Sequence, residues 1–265
     1  HRAHTEFMHN LVTCLNGGPT NLQADLAEAQ DALELNLGLA ELRFQARYDA
    51  LSLVGDGRYD PDIAPANFTA NVTNQYFPLV IGQTLIYEMQ TPEGTERKEV
   101  TTLADTVVID GVTCRAVATV DTLGGMLVEE ATDWYAQDAI GNVWCFGRVC
   151  KIYEGGFLDS LKGSWRAGKD GAKPGIIMKA VPAAGDAWRR EFLINEAEDI
   201  AAVVSVQDTI LLASYGQFSS CVTIQEPSKG ADVDGLGSFG TAATTVPRVS
   251  LDLAVSAALR ASSAA

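Results

Sequence analysis

The sequence predicts a mainly β protein: a curved antiparallel sheet, half-barrel or barrel, with an N-terminal helical extension and a C-terminal tail. Strand-like runs separated by short turn signals follow one another from residue 74 to residue 226, at spacings of about 8–12 residues. No helical segment long enough for a parallel crossover interrupts them. Residues 133–147 (DWYAQDAIGNVWCFG) place two Trp, a Tyr and a Phe around a Gly-Asn turn, which is typical of an aromatic β-hairpin.

Composition divides the chain into three parts. Residues 1–65 are an N-terminal extension with an amphipathic helix, residues 66–226 are the antiparallel β domain, and residues 227–265 are a tail rich in Gly, Ser, Ala and Thr. Within the extension, residues 1–19 are expected to be irregular. Residues 56–65 indicate a linker because of their Gly, Pro and Asp content.

The helix of the extension is expected at residues 21–34. Thr20 and Gln23 stand at the spacing of a capping box, and strong helix formers follow with apolar residues near helical period. Residues 35–54 carry apolar residues at both helical and strand period, so the sequence leaves helix and strand open there.

The β domain carries the strand-like runs, which lie at residues 83–90, 99–103, 106–109, 112–120, 126–137, 142–153, 157–166, 176–178, 189–195, 201–206 and 217–225. Asp110-Gly111 is a strong hairpin signal between two of them. Beyond the domain, residues 227–248 indicate a flexible connector. Val249–Val255 then alternates like a strand, with a short helix over residues 251–260 as the alternative.

The charge of the chain excludes two classes of partner. The 265 residues include 19 Lys and Arg against 34 Asp and Glu, a formal net charge of −15. Nucleic acids and anionic membrane surfaces are bound by clustered basic residues, which here are few and scattered. No run of about 18 apolar residues is present, so no membrane-spanning helix is expected. The first residues lack the pattern of a signal peptide, as a processed exported chain would.

Five cysteines indicate an oxidising compartment, and hence an extracellular, cell-surface or luminal location. Four residues separate Cys145 from Cys150, enough for a hairpin loop that brings the two sulfurs within bonding range. Cys114 and Cys221 lie in other strand-like runs and are candidates for a disulfide across a sheet. Cys14 would then have no disulfide partner. Five buried free thiols are the alternative. Zinc-ribbon, thioredoxin-like and haem sites are excluded because no Cys-x-x-Cys pair is present.

Three motifs carry a resemblance to known proteins. They are residues 74–79 (NQYFPL) followed by Gly82, Leu85 and Tyr87, the pair DWYAQD and GNVW within residues 133–144, and residues 171–178 (GAKPGIIM). Together they resemble a group of uncharacterised bacterial β-rich proteins that are secreted or lipid-anchored, over about residues 74–206. The first motif is also similar to the strand entry of lipoprotein carrier-like half-barrels. The resemblance implies a curved antiparallel sheet and an exported protein, and it implies no activity. The Cys145/Cys150 pair departs from that group.

The histidines are the candidates for a copper site. All three lie in the first nine residues, at His1, His4 and His9. A free N-terminal His chelates copper through its amine and imidazole, and a second His completes such a site. The alternative is that the three histidines are ordinary residues of the chain terminus that bind no metal. A Ser-His-Asp triad is not expected, because its base would have to come from this terminus.

Asp56, Asp60 and Asp62 are the candidates for a calcium site, since Ca²⁺ prefers oxygen ligands and Gly57 permits a tight loop. Acidic turn residues are the alternative. Neither metal is required by a complete motif, so the expectation is a protein without a cofactor.

Carboxylates accompany the aromatic residues of the hairpin. Glu129 and Asp133 share one face of a strand and Glu130 points to the other, with Asp138 further along. Two carboxylates above an aromatic floor would suit a carbohydrate site. The alternative is a solvated strand face beside core aromatics. The residues for a ligand or packing role are Trp134, Tyr135, Trp144 and Phe146.

Two N-glycosylation sequons stand back to back at the start of the β domain, at Asn67 and Asn71. A glycan there would place the segment on the surface of a secretory protein.

These patterns favour an exported, non-enzymatic structural or assembly subunit, or a binding protein for an apolar or glycan ligand. Its partners would be further copies of itself or another exported protein. A terminal strand such as Val249–Val255 would pair with the open sheet edge of a neighbour. The alternatives are a secreted copper-dependent or carbohydrate-active enzyme and a carrier of apolar small molecules.

Overall fold

The computed structural model describes residues 2–16, 22–194, 196–212, 216–226, 242–246 and 259–261. The chain is mainly β, as the sequence predicts, and its principal sheet is a curled antiparallel half-barrel. By its internal contacts the chain divides into a helical unit that reaches Ser52 and a β unit that begins at Leu53.

The helical unit contains α1 (Arg2–Asn16) and most of α2 (Leu22–Val54). The expectation of irregular structure over residues 1–19 is therefore wrong for residues 2–16. Phe7 and Leu11, four residues apart, are half-buried on one side of α1, which is the stripe that stabilises an amphipathic helix.

The described part of the helical unit also shows how α1 meets α2. The Asn36 side-chain amide of α2 donates to the Glu6 carboxylate of α1 across 3.4 Å. Ala29 of α2 is buried, and Leu26 and Leu33 beside it are half-buried. The first half of α2 is therefore the half that packs within this unit.

Residues 35–54, left open by the sequence, continue α2 as one helix. Their two-residue alternation of apolar side chains does not form a strand; on a helix it places apolar residues on opposite sides. Leu35 and Leu37 illustrate the result, because both are exposed to solvent.

The β unit begins with a short 3₁₀ turn (Pro65–Asn67) and contains all the described strands. These strands are β1 (Phe68–Thr69), β2 (Thr84–Thr91), β3 (Gly94–Ile109), β4 (Val112–Leu123), β5 (Met126–Asp138), β6 (Val143–Glu154), β7 (Phe157–Ser160), β8 (Trp165–Arg166), β9 (Lys173–Met178), β10 (Ala187–Arg189), β11 (Glu191–Phe192), β12 (Ile200–Leu212), β13 (Gly216–Glu226), β14 (Ala242–Val246) and β15 (Leu259–Ala261).

The half-barrel is a meander in which β2 to β6 follow one another as antiparallel neighbours. Strands β9 and β11 continue the sheet beyond β6. Three short strands pair outside this order: β1 with β5, β7 with β6, and β8 with β6. The two runs expected at 99–103 and 106–109 form the single strand β3, whose register shifts between Thr102 and Thr106. Such a bulge bends a strand without ending it and helps a sheet to curl.

A second sheet has the order β10-β12-β13-β14-β15. The flexible connector expected over residues 227–248 is therefore wrong for residues 242–246, which pair with β13 as β14. The β-branched residues of that segment suit a strand, and β13 offers a free edge to it. The strand expected at Val249–Val255 lies outside the described residues.

Two apolar clusters hold the β unit together. One surrounds Phe146, which is fully buried, with Ile109 and Trp165. The other joins the two sheets and contains Val143 of β6 and Val222 of β13. Strand β6 contributes to both clusters, so it is the central strand of the β unit.

Candidate functional sites

The aromatic hairpin β5–β6 is closed by Asp138. Its Oδ1 accepts hydrogen bonds from the backbone N–H groups of Ile140 (3.1 Å) and Asn142 (2.8 Å), and its Oδ2 accepts one from Trp144 Nε1 (2.8 Å). A carboxylate engaged in this way organises the turn and fixes the indole, so Asp138 has a structural role.

The hairpin aromatics contact other side chains of the β unit. Phe146 and Trp144 both meet the Phe68 ring edge-on, with centroids 5.4 and 6.0 Å away. Trp134 is half-buried, and the Arg166 guanidinium lies 5.7 Å from its ring centroid. These contacts favour a packing role for the three aromatic residues and do not favour a role as a ligand-binding platform.

A row of charged side chains crosses one face of the half-barrel; we name Lys98, Asp121, Glu129, Asp133 and Arg148 the charged face. Lys98 lies opposite Asp121 and Asp121 lies opposite Glu129 in the register of β3, β4 and β5. Arg148 of β6 lies opposite Asp133. Residues directly opposite one another in a sheet share a face, so the five side chains lie together.

Ion pairs along the charged face leave Asp133 with the weakest partner. Lys98 Nζ lies 2.9 Å from Asp121 Oδ2, and Arg148 forms an ion pair and hydrogen bond with Glu129. Arg148 Nη1 is 3.8 Å from Asp133 Oδ1, beyond hydrogen-bond length. Only 8% of Asp133 is exposed, so this longer ion pair lies in a buried setting.

Burial governs the electrostatics of Asp133. It raises the pKa of the carboxyl to about 6; the Arg148 guanidinium opposes this increase and Glu129 adds to it. Arg148 is itself partly buried, which lowers its pKa, but the charges of Asp133 and Glu129 outweigh that effect and raise it. The cations around Asp133 thus compensate only part of the cost of burying its charge.

The sequence singled out Glu129 and Asp133 on one face, and the register confirms that they share it while Glu130 lies on the other. There Glu130 accepts a hydrogen bond from the Tyr153 hydroxyl at 2.6 Å. Sequence reasoning missed Lys98, Asp121 and Arg148, because only the strand register brings them to the carboxylates. A sequence signal for these residues was present: each of the three strands carries a charged residue at a position that points to the inner side of the sheet.

Tyr135 follows Asp133 on the same face and lies at the margin of the cluster between the sheets, 5.2 Å from the Phe77 ring. Burial raises the pKa of its hydroxyl well above the usual value, with the Asp133 charge adding to the effect. Cys145, opposite Tyr135 in β6, shows the same shift for the same reason. Both groups are therefore held protonated, whereas a nucleophilic thiol needs its pKa lowered.

Cys145 and Cys150 lie on one strand, β6, and not on either side of a hairpin loop. The expectation of such a loop is wrong, because the chain continues through Gly147 with a register shift and stays paired with β5. Five residues of strand span about 16 Å, more than a disulfide reaches. Both cysteines are buried free thiols in this structure, and a disulfide that involves either of them stays a prediction.

Cys114 and Cys221 are buried free thiols on β4 and β13, which belong to different sheets. Burial raises the pKa of Cys114 to about 12. The side chain of Cys14 lies outside the described residues. A disulfide that involves Cys114, Cys221 or Cys14 stays a prediction.

The candidate metal ligands do not converge. The described residues contain no group of three or more His, Cys, Asp or Glu side chains that could hold a metal ion. His4 and His9 are exposed on α1, and His1 lies outside the described residues.

The three aspartates proposed for calcium lie in the irregular segment that opens the β unit, and Asp60 has cationic partners. Lys173 Nζ lies 2.7 Å from Asp60 Oδ1, and Arg58 Nη2 lies 3.6 Å from Asp60 Oδ2. The hydrogen bond from Lys173 lowers the pKa of Asp60. Asp56 and Asp62 are exposed, so this segment supports the reading as acidic surface residues.

Both sequon asparagines are exposed. Asn67 ends the 3₁₀ turn, and Asn71 follows β1. A modifying enzyme needs this access, so the glycosylation candidates are compatible with the fold.

Helix α2 carries large apolar side chains that are exposed to solvent. We name Leu33, Leu37, Ala40, Phe44 and Leu51 the apolar stripe; they follow one another at intervals of four, three, four and seven residues. Leu37, Phe44 and Leu51 are 42%, 63% and 38% exposed. Alternating intervals of three and four are those of a coiled-coil seam.

The comparisons with known proteins give no relative: no family model, curated protein or solved structure matches the chain. The resemblance to secreted or lipid-anchored β-rich proteins, with its lipoprotein carrier-like half-barrel, therefore stays a prediction. Among the described helices, none is long and apolar enough to cross a membrane.

Proposed function

We propose that the chain is an exported, non-enzymatic assembly subunit that self-associates through the apolar stripe of α2. The observation that carries the proposal is the exposure of Leu37, Phe44 and Leu51 on one side of the helix. Helices at the surface of soluble proteins normally direct such residues inward and polar residues outward. Each large side chain withdrawn from water stabilises an association by about 1.5–3 kcal/mol.

The spacing of the apolar stripe supports a second helix as the partner. Residues at alternating intervals of three and four form knobs that insert between the side chains of a facing helix. A second copy supplies the same stripe, so a two-fold pair is self-complementary without any other component. Helix α2 is about 50 Å long, and its second half, from Ala40 to Leu51, offers roughly three turns for this contact.

Export rests on separate observations. The cysteine content of the chain and its predicted resemblance favour an exported compartment. The exposed positions of Asn67 and Asn71 agree with a surface that meets a secretory pathway.

Molar mass in solution tests the assembly. Light scattering after size exclusion should show an oligomer for the full chain and a monomer for the double variant Leu37→Glu/Phe44→Glu, because charge in the seam is not tolerated. The matched control is Gln23→Glu/Gln30→Glu, which adds the same charge at two exposed polar positions of α2. We expect the control to remain oligomeric. A monomeric full chain at every concentration, or an oligomer that survives the seam variant, would refute the proposal.

A further inference from the structure

A recess of about 370 Å³ lies in the β unit between two turns of the chain. One is the turn between β3 and β4 at Asp110, and the other follows β8 at Gly168. The two turns lie close together, because a Cβ at Gly168 would be 3.2 Å from Asp110 Oδ1. The volume falls within the range of small-molecule pockets, about 300–1,000 Å³.

The recess has an apolar floor and a charged rim. Ile109 and Ala167 form the floor and are 1% and 3% exposed, while Val108 beside them is 60% exposed. The rim is formed by three exposed charged residues, Arg166, Lys169 and Asp110. A few polar groups around an apolar floor are the usual lining of a site for a small molecule.

The rim carries more positive than negative charge. Arg166 and Lys169 each bring one positive charge, and Asp110 brings one negative charge. Within the part of the chain that the structure describes, neither Arg166 nor Lys169 forms an ion pair. Because the whole chain has a net charge of −15, a recess with two unpaired cations stands out from the rest of its surface. An anionic group is the ligand that complements this rim.

The fold holds the Arg166 guanidinium in place before a ligand binds. Its Nη2 donates to the Val108 carbonyl at 3.2 Å, and the group lies 5.7 Å from the Trp134 ring centroid. Backbone hydrogen bonds from Ala167 N–H to a carbonyl of β6 (2.9 Å) and from Lys169 N–H to the Arg166 carbonyl (3.1 Å) fix the turn. A guanidinium has five N–H donors in a planar fork, so most of them remain for a ligand. A side chain that is ordered in advance lowers the entropy cost of binding.

We propose that this recess binds a small organic carboxylate, with Arg166 as the main donor and Lys169 as the second cation. The apolar part of the ligand would lie on Ile109 and Ala167. Arginine binds a carboxylate through two parallel hydrogen bonds, which fixes the orientation of the ligand. Asp110 favours a singly charged ligand over a dianion, because it repels each added negative charge. The site goes beyond self-association through α2 and does not depend on it.

A titration of the full chain with sodium n-butyrate, n-butyramide and sodium phosphate at pH 7 and constant ionic strength, followed by backbone NMR shifts, tests the proposal. We expect butyrate to shift residues 108–110 and 166–169 with a dissociation constant of about 1 mM, because both cations are exposed. Butyramide has the same shape without the charge and should cause no shift there. Phosphate should bind more weakly than butyrate.

Two variants and a matched control locate the site. Arg166→Gln should weaken butyrate binding by about tenfold, since it removes both the charge and the planar fork. Lys169→Gln should weaken it by about threefold. Among the described residues the Lys169 side chain makes no hydrogen bond or ion pair, so this variant should fold even if Arg166→Gln does not. The control is Arg58→Gln, which removes the same charge from a side chain that is 83% exposed in the segment before β1.

The possible results separate cleanly. Weaker binding in both recess variants, with unchanged binding in Arg58→Gln, supports the site. Equal butyrate affinity in either recess variant and the unaltered chain overturns it. So does binding of butyramide or phosphate as tightly as butyrate, or butyrate shifts that lie outside the recess. The seam variant Leu37→Glu/Phe44→Glu should bind butyrate unchanged, which distinguishes this site from the proposed assembly.

Discussion

Asn74 shows at the scale of one residue why a buried polar side chain belongs to the fold. Its amide donates to the carbonyls of Gly141 (2.8 Å) and Lys179 (3.2 Å), and its oxygen accepts from the N–H groups of Tyr76 (2.8 Å) and Phe77 (3.2 Å). The side chain thus fastens the segment before β2 to the hairpin turn and to the chain after β9. The sequence motif NQYFPL contains this residue, but its four partners are visible only in the folded chain.

Asp133 is the opposite case, a buried polar side chain whose ion pair with Arg148 is long, at 3.8 Å. Its pKa of about 6 lies above the usual 3.8, so the folded chain binds the proton more tightly than the unfolded chain does. The free energy of unfolding should therefore fall as the pH rises from about 4 to about 6 and stay level above that.

Asp133→Asn should remove that dependence. We expect the variant to match the unaltered chain at pH 4, where the carboxyl is protonated, and to be more stable at pH 7 by up to about 3 kcal/mol. Chemical denaturation at both pH values measures the difference, with Asp159→Asn as the exposed control. A variant that is less stable than the unaltered chain at pH 7 would show that the Arg148 pair outweighs burial.

Strand β9 illustrates a constraint at the scale of an element. Gly175 lies where β9 runs against the segment between β10 and β11, and a Cβ at this position would lie 2.3 Å from the carbonyl carbon of Arg190. Real Cβ atoms do not approach a backbone atom so closely. The motif GAKPGIIM therefore contains a glycine because two backbones meet there.

Gly175→Ala should destabilise the β unit by about 3 kcal/mol or more, because neither backbone has room to yield. Gly57→Ala is the matched control: its Cβ would meet nothing within 4 Å, and its stability should change little. Thermal or chemical unfolding followed by circular dichroism compares the two. Similar stability for both variants would show that β9 moves freely away from Arg190.

The elements also show where the sequence pattern was sufficient and where it was not. Alternation and turn residues predicted β4, β5 and β6 closely, because each has one face toward the core and a Gly-containing turn at its end. Alternation failed in residues 35–54, where apolar side chains on two sides of a helix imitate strand period. It also failed at Gly147, where a bulge carries β6 past the loop expected between Cys145 and Cys150.

At the scale of the whole molecule, the chain divides into two units with different surfaces. The helical unit offers the apolar stripe for assembly, and the β unit has its own core and the charged face. A unit with its own core is able to fold alone.

A chain that begins at Leu53 should therefore fold and be monomeric. We expect its circular dichroism to show strand with little helix, and light scattering to give the mass of one chain. An unfolded product would show that the β unit needs the helical unit, and an oligomer would place the association in the β unit.

The sequence by itself determined the class of this protein. Alternating strands, turn residues and the absence of crossover helices predict an antiparallel meander, since these signals act between residues close in the chain. The acidic composition likewise predicts, without reference to a fold, that polyanions are not partners. Local pattern also identified Glu129 and Asp133 on one face.

Only the tertiary structure decided what those carboxylates meet. Lys98, Asp121 and Arg148 come from three other strands, and register is set by how whole strands pack and bulge. The burial that raises the pKa of Asp133 is also a property of the folded sheet. The exposure of the apolar stripe is decided in the same way, because a helix pattern shows which side is apolar but not which side is covered.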